Sequence, residues 1–270
     1  NPLVFSGNYT VGDSSAASTG FGGFLYNTGT VNLAFMTVDG SSSTRSGGAI
    51  YSSGTNSGIS LTNVAFRNNK AGHNNGTGDG GAIYVVGGNL MVNSSTFEGN
   101  SAYSRNSNGY LVDKGGAIYF SGNGNLTIQG ELTEAGNSYQ KIDTFFSGNQ
   151  ASRGGAVYIE SNGGTVDISN TTVSGNIGRY SNADGNYDES AAYVSQGAGL
   201  WLGGSNSIRI TLENVTVAGN QQASNGLTWG GGLYVENVGL NLINTTFYGN
   251  TANHGSALYI NDAEVSIVNS

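Results

Sequence analysis

One two-phrase motif recurs eight times along the chain: Gly-Gly-Ala-Ile-Tyr, an alternating apolar run, then Phe-x-Gly-Asn. The first phrase reads Gly22 to Tyr26, Gly47 to Tyr51, Gly80 to Tyr84, Gly115 to Tyr119, Gly154 to Tyr158, Gly197 to Trp201, Gly230 to Tyr234 and Gly255 to Tyr259. The second closes at Asn8, Ser41, Asn69, Asn100, Asn149, Asn176, Asn220 and Asn250. Successive aromatics stand 25, 33, 35, 39, 43, 33 and 25 residues apart, so a constant unit carries insertions of variable length. Such a period marks a solenoid, one coil per repeat. It replaces the one or two globular domains that the length suggests with a single elongated unit over 1–270. Neither end carries a polar cap of the kind repeat arrays need, so a segment of a longer repeat protein is expected.

Within each unit the residue before the aromatic is aliphatic: Leu25, Ile50, Ile83, Ile118, Val157, Leu200, Leu233 and Leu258. The residue after it is mostly apolar, as at Val85, Phe120, Ile159, Leu202, Val235 and Ile260. Strand side chains alternate between faces, so these two columns point inward and the aromatic between them points outward. A second run alternates too and ends on Asn63, Asn170, Asn214 or Asn244. Three residues later Phe66, Val173, Val217 or Phe247 begins a third short strand, and Gly follows two residues on at 7, 40, 99, 148, 175, 219 and 249, with Asn68 in its place once. Gly and Asn tolerate positive φ, so both columns predict tight bends. The fold class is all-β: a parallel β-helix of about eight coils with three short strands each. It is expected to be right-handed by analogy with other such solenoids.

Most length variation falls between Phe-x-x-Asn and the next Gly-Gly, at 70–79, 101–114, 177–196 and 221–229, with a separate insertion at 131–145. Loops leaving one edge of a stiff rod are where recognition is built. The 46 Gly among 270 residues would suggest disorder, were Ile, Leu, Val and Phe not spaced regularly between them. Net charge is −8 and the nine Lys and Arg are scattered, which argues against nucleic acid or an anionic membrane surface as partner. Cys is absent, which removes disulfide and thiolate chemistry. No apolar run approaches the roughly 20 residues of a membrane-spanning helix, so no membrane insertion of this segment is expected, and no signal sequence is read.

The outward aromatic column Tyr26, Tyr51, Tyr84, Tyr119, Tyr158, Trp201, Tyr234 and Tyr259 is the first candidate binding surface. Its rings should stack at the coil spacing of about 4.8 Å, either as a stabilising ladder resting on Ala49, Ala82 and Ala117 or as a wet strip for glycans or a partner. The Asn columns (Asn63, Asn170, Asn214, Asn244 and Asn69, Asn100, Asn149, Asn176, Asn220, Asn250) are read as structural bends whose amides bond along the rod. Seven Asn-x-Ser/Thr triplets start at 8, 75, 93, 125, 170, 214 and 244; Asn75, in a loop, is the expected glycan acceptor among them. Asn182, Asp184, Asn186, Asp188 and Glu189 surround Gly185 with oxygen ligands that can wrap Ca²⁺, although their spacing fits no Ca²⁺ loop and a solvated acidic loop is the plainer reading. No catalytic set emerges. Glu160 and Glu236 share a column but Gly203 stands between them, and His73 and His254 are isolated.

The Gly-Gly-Ala-Ile/Val and Phe-x-x-Asn phrases resemble those of the chlamydial polymorphic membrane proteins, an autotransporter family. The resemblance runs from Phe5 to Asn269, with departures at Gly-Ala-Gly-Leu-Trp over 197–201 and Val-x-Gly-Ser over 38–41. It implies a secreted, cell-surface passenger acting in adhesion, non-enzymatic, with a receptor or glycan on a host or neighbouring cell as partner. Two further readings stay open: a self-assembling extracellular filament whose copies stack end to end, and a carbohydrate-active lyase or hydrolase.

Overall fold

The computed structural model describes residues 3–11, 19–72, 78–106, 109–110, 112–135, 138–179, 195–222 and 227–270, and among them there are strands and bends but no helix. The strands that carry the aromatics form one eight-stranded parallel sheet in chain order: Leu25–Asn27, Ile50–Ser53, Ile83–Val86, Ile118–Gly122, Val157–Ser161, Leu200–Gly204, Leu233–Glu236 and Leu258–Asn261. Each aromatic pairs in register with the aromatic of the next repeat. Every coil therefore stacks on its sequence neighbour, and the fold is a parallel β-helix.

The second and third runs build a 14-stranded sheet. In the fifth coil the bend divides them into Val166–Ser169 and Thr171–Ser174, whereas Thr30–Asp39 and Gly58–Arg67 pass through it as ten-residue strands. After Phe-x-x-Asn comes a further sheet of seven two-residue strands, from Tyr9–Thr10 to Gln221–Gln222. Coils whose long strand passes through the bend thus have three strands and divided coils have four; the two-residue strand is too short to show alternation. Stretches expected to be loops also carry pairing. Glu131–Ala135 and Ser138–Ile142 form an antiparallel hairpin, and Ser195–Gln196 pairs with Thr228–Trp229.

The bends fall where Gly and Asn predict them. Asn63, Asn170, Asn214 and Asn244 have φ of 52°, 45°, 54° and 49°, and Gly7, Gly40, Asn68, Gly99, Gly148, Gly175, Gly219 and Gly249 lie between 53° and 64°. The two glycines of the first phrase serve different needs. Gly80 is in the left-handed region at φ 65°, whereas a Cβ on Gly81 would strike the carbonyl oxygen of Gly116 in the next coil. Coils touch backbone to backbone there, and their hydrogen bonds continue around the corner, as in Gly81 N–H to Gly115 O at 3.0 Å.

The inward columns fill one core along the rod, including Ile50, Ile83, Ile118, Val157, Leu200 and Leu233, with Phe66, Phe97 and Phe146 stacked at 5.2 and 4.7 Å. Ala49, Ala82 and Ala117 belong to this core and do not support the aromatic column. Their position at the corner turns them inward, against simple alternation.

Asn69, Asn100, Asn149, Asn176, Asn220 and Asn250 are not themselves the bends; the residue before each one is. That bend points their amides into the rod. Each Nδ2 donates to the Oδ1 of the next Asn at 2.9 Å, and each Oδ1 also accepts the backbone N–H of the preceding Asn at 3.0 Å. The second Nδ2 hydrogen reaches a backbone carbonyl one coil back, for example Asn149 to Phe97 O at 2.9 Å. Every amide in the middle of the file is saturated while buried, which is the condition for placing it there without loss. Where Ser41 replaces Asn the file stops, and Asn8 Nδ2 and Ser41 Oγ are buried without partners.

Two outcomes follow from the file. Asn149→Ala strands several buried polar groups and should lower stability by about 2–5 kcal/mol, read from urea unfolding followed by circular dichroism. Ser41→Asn, which extends the file to Asn8, should raise stability by about 1 kcal/mol in the same measurement.

Candidate functional site

The eight aromatic rings form a continuous stack on the outside of the core. Centroid separations from Tyr26 to Tyr259 are 5.1, 5.1, 4.6, 5.3, 4.2, 6.0 and 5.3 Å, with interplanar angles of 4° to 23°. Their exposure corrects the picture of a wet strip. Tyr26 is 56% exposed, but Tyr119, Tyr158, Trp201 and Tyr234 are 8%, 2%, 4% and 3% exposed and form a second apolar cluster. Two causes act together. Stacking hides both faces of each inner ring, and three of the residues that precede a Gly-Gly phrase, Phe21, Lys114 and Trp229, lie against the rings.

That preceding column was not picked out by periodicity, although its place, one residue before Gly-Gly, is constant. It contains Phe21, Ser46, Asp79, Lys114, Arg153, Gln196, Trp229 and His254. Phe21 lies 4.4 Å from the Tyr51 ring and Trp229 lies 6.0 Å from Tyr259. Lys114 Nζ sits 4.7 Å from the Tyr158 centroid and 5.8 Å from that of Tyr119, within cation–π range of both rings, and reaches Glu160 Oε2 at 3.8 Å.

The residue two beyond the aromatic meets the phenol hydroxyls in three coils. Tyr158 OH donates to Glu160 Oε2 at 3.1 Å, Tyr234 OH to Glu236 Oε1 at 3.4 Å, and Asn261 Nδ2 donates to Tyr234 OH at 3.3 Å. Gly203 occupies this position in the coil of Trp201, because a Cβ there would meet the indole ring. Trp201 Nε1, on the other side of the indole, is buried without a partner. Burial first, then neighbouring phenols and carboxylates, push the hydroxyls of Tyr84 and Tyr158 far up, and those of Tyr119 and Tyr234 to about 12, with burial the leading cause in each. The phenols remain donors throughout the physiological range. Glu160 and Glu236 are thus acceptors for the stack, held two coils apart.

The stems of the inserted segments are fastened by side chains. Ser152 N–H donates to Asp113 Oδ1, Ser152 Oγ to Asp113 O at 2.8 Å, and Ser195 Oγ to Ser152 O at 2.8 Å. Thr228 Oγ1 donates to Asn253 Oδ1 at 2.7 Å, and Gly78 N–H to Ser104 Oγ at 3.0 Å. Asp113 is buried, which raises its carboxyl to about 8, and burial raises Asp79 to about 6 against the opposing pull of Lys114. Asn182, Asp184, Asn186, Asp188, Glu189, Asn75 and His73 lie outside the described residues. Of the exposed Asn column, Asn214 Nδ2 lies 3.5 Å from Asn170 Oδ1 and Asn244 Nδ2 donates to Asn214 Oδ1 at 3.2 Å.

Both aspartates hold their protons more tightly when folded than when unfolded. Their contribution to stability is therefore full below about pH 4 and lost as pH rises through about 6 for Asp79 and about 8 for Asp113. The melting temperature should fall between pH 5 and 8.5, and Asp113→Asn, which keeps the acceptor for Ser152, should flatten most of that fall in calorimetric scans. Gly203→Ala should cost about 1–3 kcal/mol with Trp201 present, and Trp201→Tyr should remove most of that cost in a double-mutant cycle.

The Chlamydia polymorphic membrane protein repeat matches residues 63–86, 94–124 and 143–160. Each matched stretch runs through a buried ladder Asn and Gly-Gly to a stacked Tyr, the residues that hold one coil to the next. The chain is also similar to the probable autotransporter YfaL of Escherichia coli (strain K12), 38% identical over 88 residues that make up 31% of this chain and 7% of that protein. It therefore spans a small part of that relative's length. No solved structure matches it. The repeats resemble those of autotransporter passengers, a likeness that indicates an extracellular β-helix at the outer surface.

Proposed function

We propose that this region is a non-enzymatic passenger rod that holds adhesive loops along one edge, for a receptor on a host or neighbouring cell. One observation carries the reading: the segments of unequal length leave the rod at the same corner. They lie between the two-residue strands Tyr9–Thr10, Lys70–Ala71, Ser101–Ala102, Ile177–Gly178 and Gln221–Gln222 and the Gly-Gly phrases that follow. Their stems are pinned by Ser104, Asp113, Ser152, Ser195 and Thr228, so variable sequence stands on fixed posts. The stacked aromatics support this corner from beneath, and only the half-exposed rungs such as Tyr26 and Tyr51 add contact surface.

The test uses the full-length protein displayed on bacteria. Replacing 105–111 and 180–194 with short Gly-Ser turns should abolish attachment to epithelial cells, while surface display and thermal melting stay as in the parent. Undiminished attachment would refute the adhesive reading. If the purified protein forms concentration-dependent fibres in negative-stain images, in place of isolated rods, the self-assembling filament takes its place.

A further inference from the structure

A groove of about 420 Å³ runs along a different corner, where the aromatic sheet turns into the alternating run. Turn length creates it. The third coil crosses the corner in two residues, Gly87 and Gly88, between Ile83–Val86 and Asn89–Asn93, whereas the adjoining second and fourth coils use 54–57 and 123–125. Gly88 is forced, because a Cβ there would strike Ser57. The short turn leaves a trough between its longer neighbours.

Its polar groups are held in place by the coil ladder. The backbone N–H of Asn125 donates to Asn89 Oδ1 at 2.8 Å, and that of Thr165 to Asn125 Oδ1 at 2.9 Å. Each amide oxygen is thus tied to the next coil, which orients the amide and leaves its Nδ2 donors at the exposed lip. These donors repeat at the coil spacing, about 4.8 Å. Hydroxyls of Ser60, Thr127 and Thr165 flank them, and Met91, 47% exposed, gives an apolar patch between.

The lining selects by chemistry. It contains no charged side chain, so nothing meets a polyanion on a chain of net charge −8. The floor's backbone N–H groups are occupied: Gly58 to Gly29 O at 2.8 Å, Asn89 to Ser57 O at 2.9 Å and Leu126 to Thr165 O at 2.9 Å. No sheet edge is left to which an extended peptide could add. A second trough on the same corner, around Asn206 and Gly239, is crossed by the Arg209–Glu264 ion pair at 3.0 Å and lacks this neutral character.

We propose that the groove beside Asn89, Met91 and Asn125 binds a neutral oligosaccharide lying along the rod axis. Successive sugars present hydroxyls to the two amides, and a C–H face rests on Met91. The site is independent of the inserted loops and adds a second recognition surface to the rod.

Isothermal titration of the purified chain with cellohexaose, mannohexaose and chitohexaose, with a heparin hexasaccharide as acidic control, tests this. At least one neutral sugar should bind at millimolar or lower concentration, and heparin should bind more weakly. Asn89→Asp and Asn125→Asp keep the oxygen that holds the next coil but remove the donors, so each should weaken binding about three- to tenfold at unchanged melting temperature. Met91→Ala, which leaves the backbone and Asn hydrogen bonds between coils intact and removes only the weak bond from Ser60 Oγ to Met91 Sδ at 3.9 Å, should weaken it as well. The loop-shortened variant should bind as the parent does. No binding by any neutral sugar, tighter binding of heparin, or undiminished binding by both Asp variants would overturn the proposal.

Discussion

The structure depends on a buried file of primary amides. A side chain placed inside a coil must answer the coil above and the coil below at once. Asn does so without charge: its Oδ1 accepts two hydrogens and its Nδ2 donates two, all in one plane. Ser offers one donor, and Asp would bring a charge whose burial is costly. The positive-φ residue before each Asn is what turns the amide inward, so bend and file are one device. Because each amide bonds to its own kind, a coil that slipped by one residue would lose the whole set. The file therefore determines register as well as stability, which hydrophobic columns alone would leave loose.

The same stacking limits what the aromatic column can do. Rings 4.2 to 6.0 Å apart and nearly parallel spend both faces on each other, so an inner ring cannot also offer a face to a sugar or a partner. Only edges and hydroxyls remain; Glu160, Glu236 and Asn261 meet hydroxyls, and Lys114 closes over Tyr119 and Tyr158. The column is best understood as a second, narrower core placed beneath the loop-bearing edge. Its one discontinuity is informative: Trp201 is larger than its neighbours, and Gly203 beside it makes room for the far edge of the indole.

Much of this architecture was legible in the chain. The repeat placed every strand of the aromatic sheet, and the Gly and Asn columns located the bends because positive φ is an intrinsic preference of those residues. Three things were not legible. The two-residue strands after each Phe-x-x-Asn are too short for a period. The inward turn of Ala49, Ala82 and Ala117 reverses alternation, since the corner intervenes between them and the strand. The covering of Tyr119 to Tyr234 involves Lys114 and Trp229, whose types share no pattern although their position before Gly-Gly does. Residues of like kind reveal a column; residues of like place and unlike kind do not.

That contrast explains how a rod of this kind can vary without unfolding. Three corners are closed to change by short-range demands: the Asn bend, the amide file, and the Gly-Gly contact where Gly81 leaves no space for a Cβ. The stretch between the two-residue strands and Gly-Gly has no such demand on its length, because its two stems are fastened separately by side-chain hydrogen bonds. Insertion there adds loop entropy that grows only slowly with length. The turn between the aromatic and alternating strands tolerates smaller changes, two to four residues, and those changes carve troughs. A passenger built this way can therefore keep one framework and alter its surface at two corners, by long loops at one and by shallow grooves at the other.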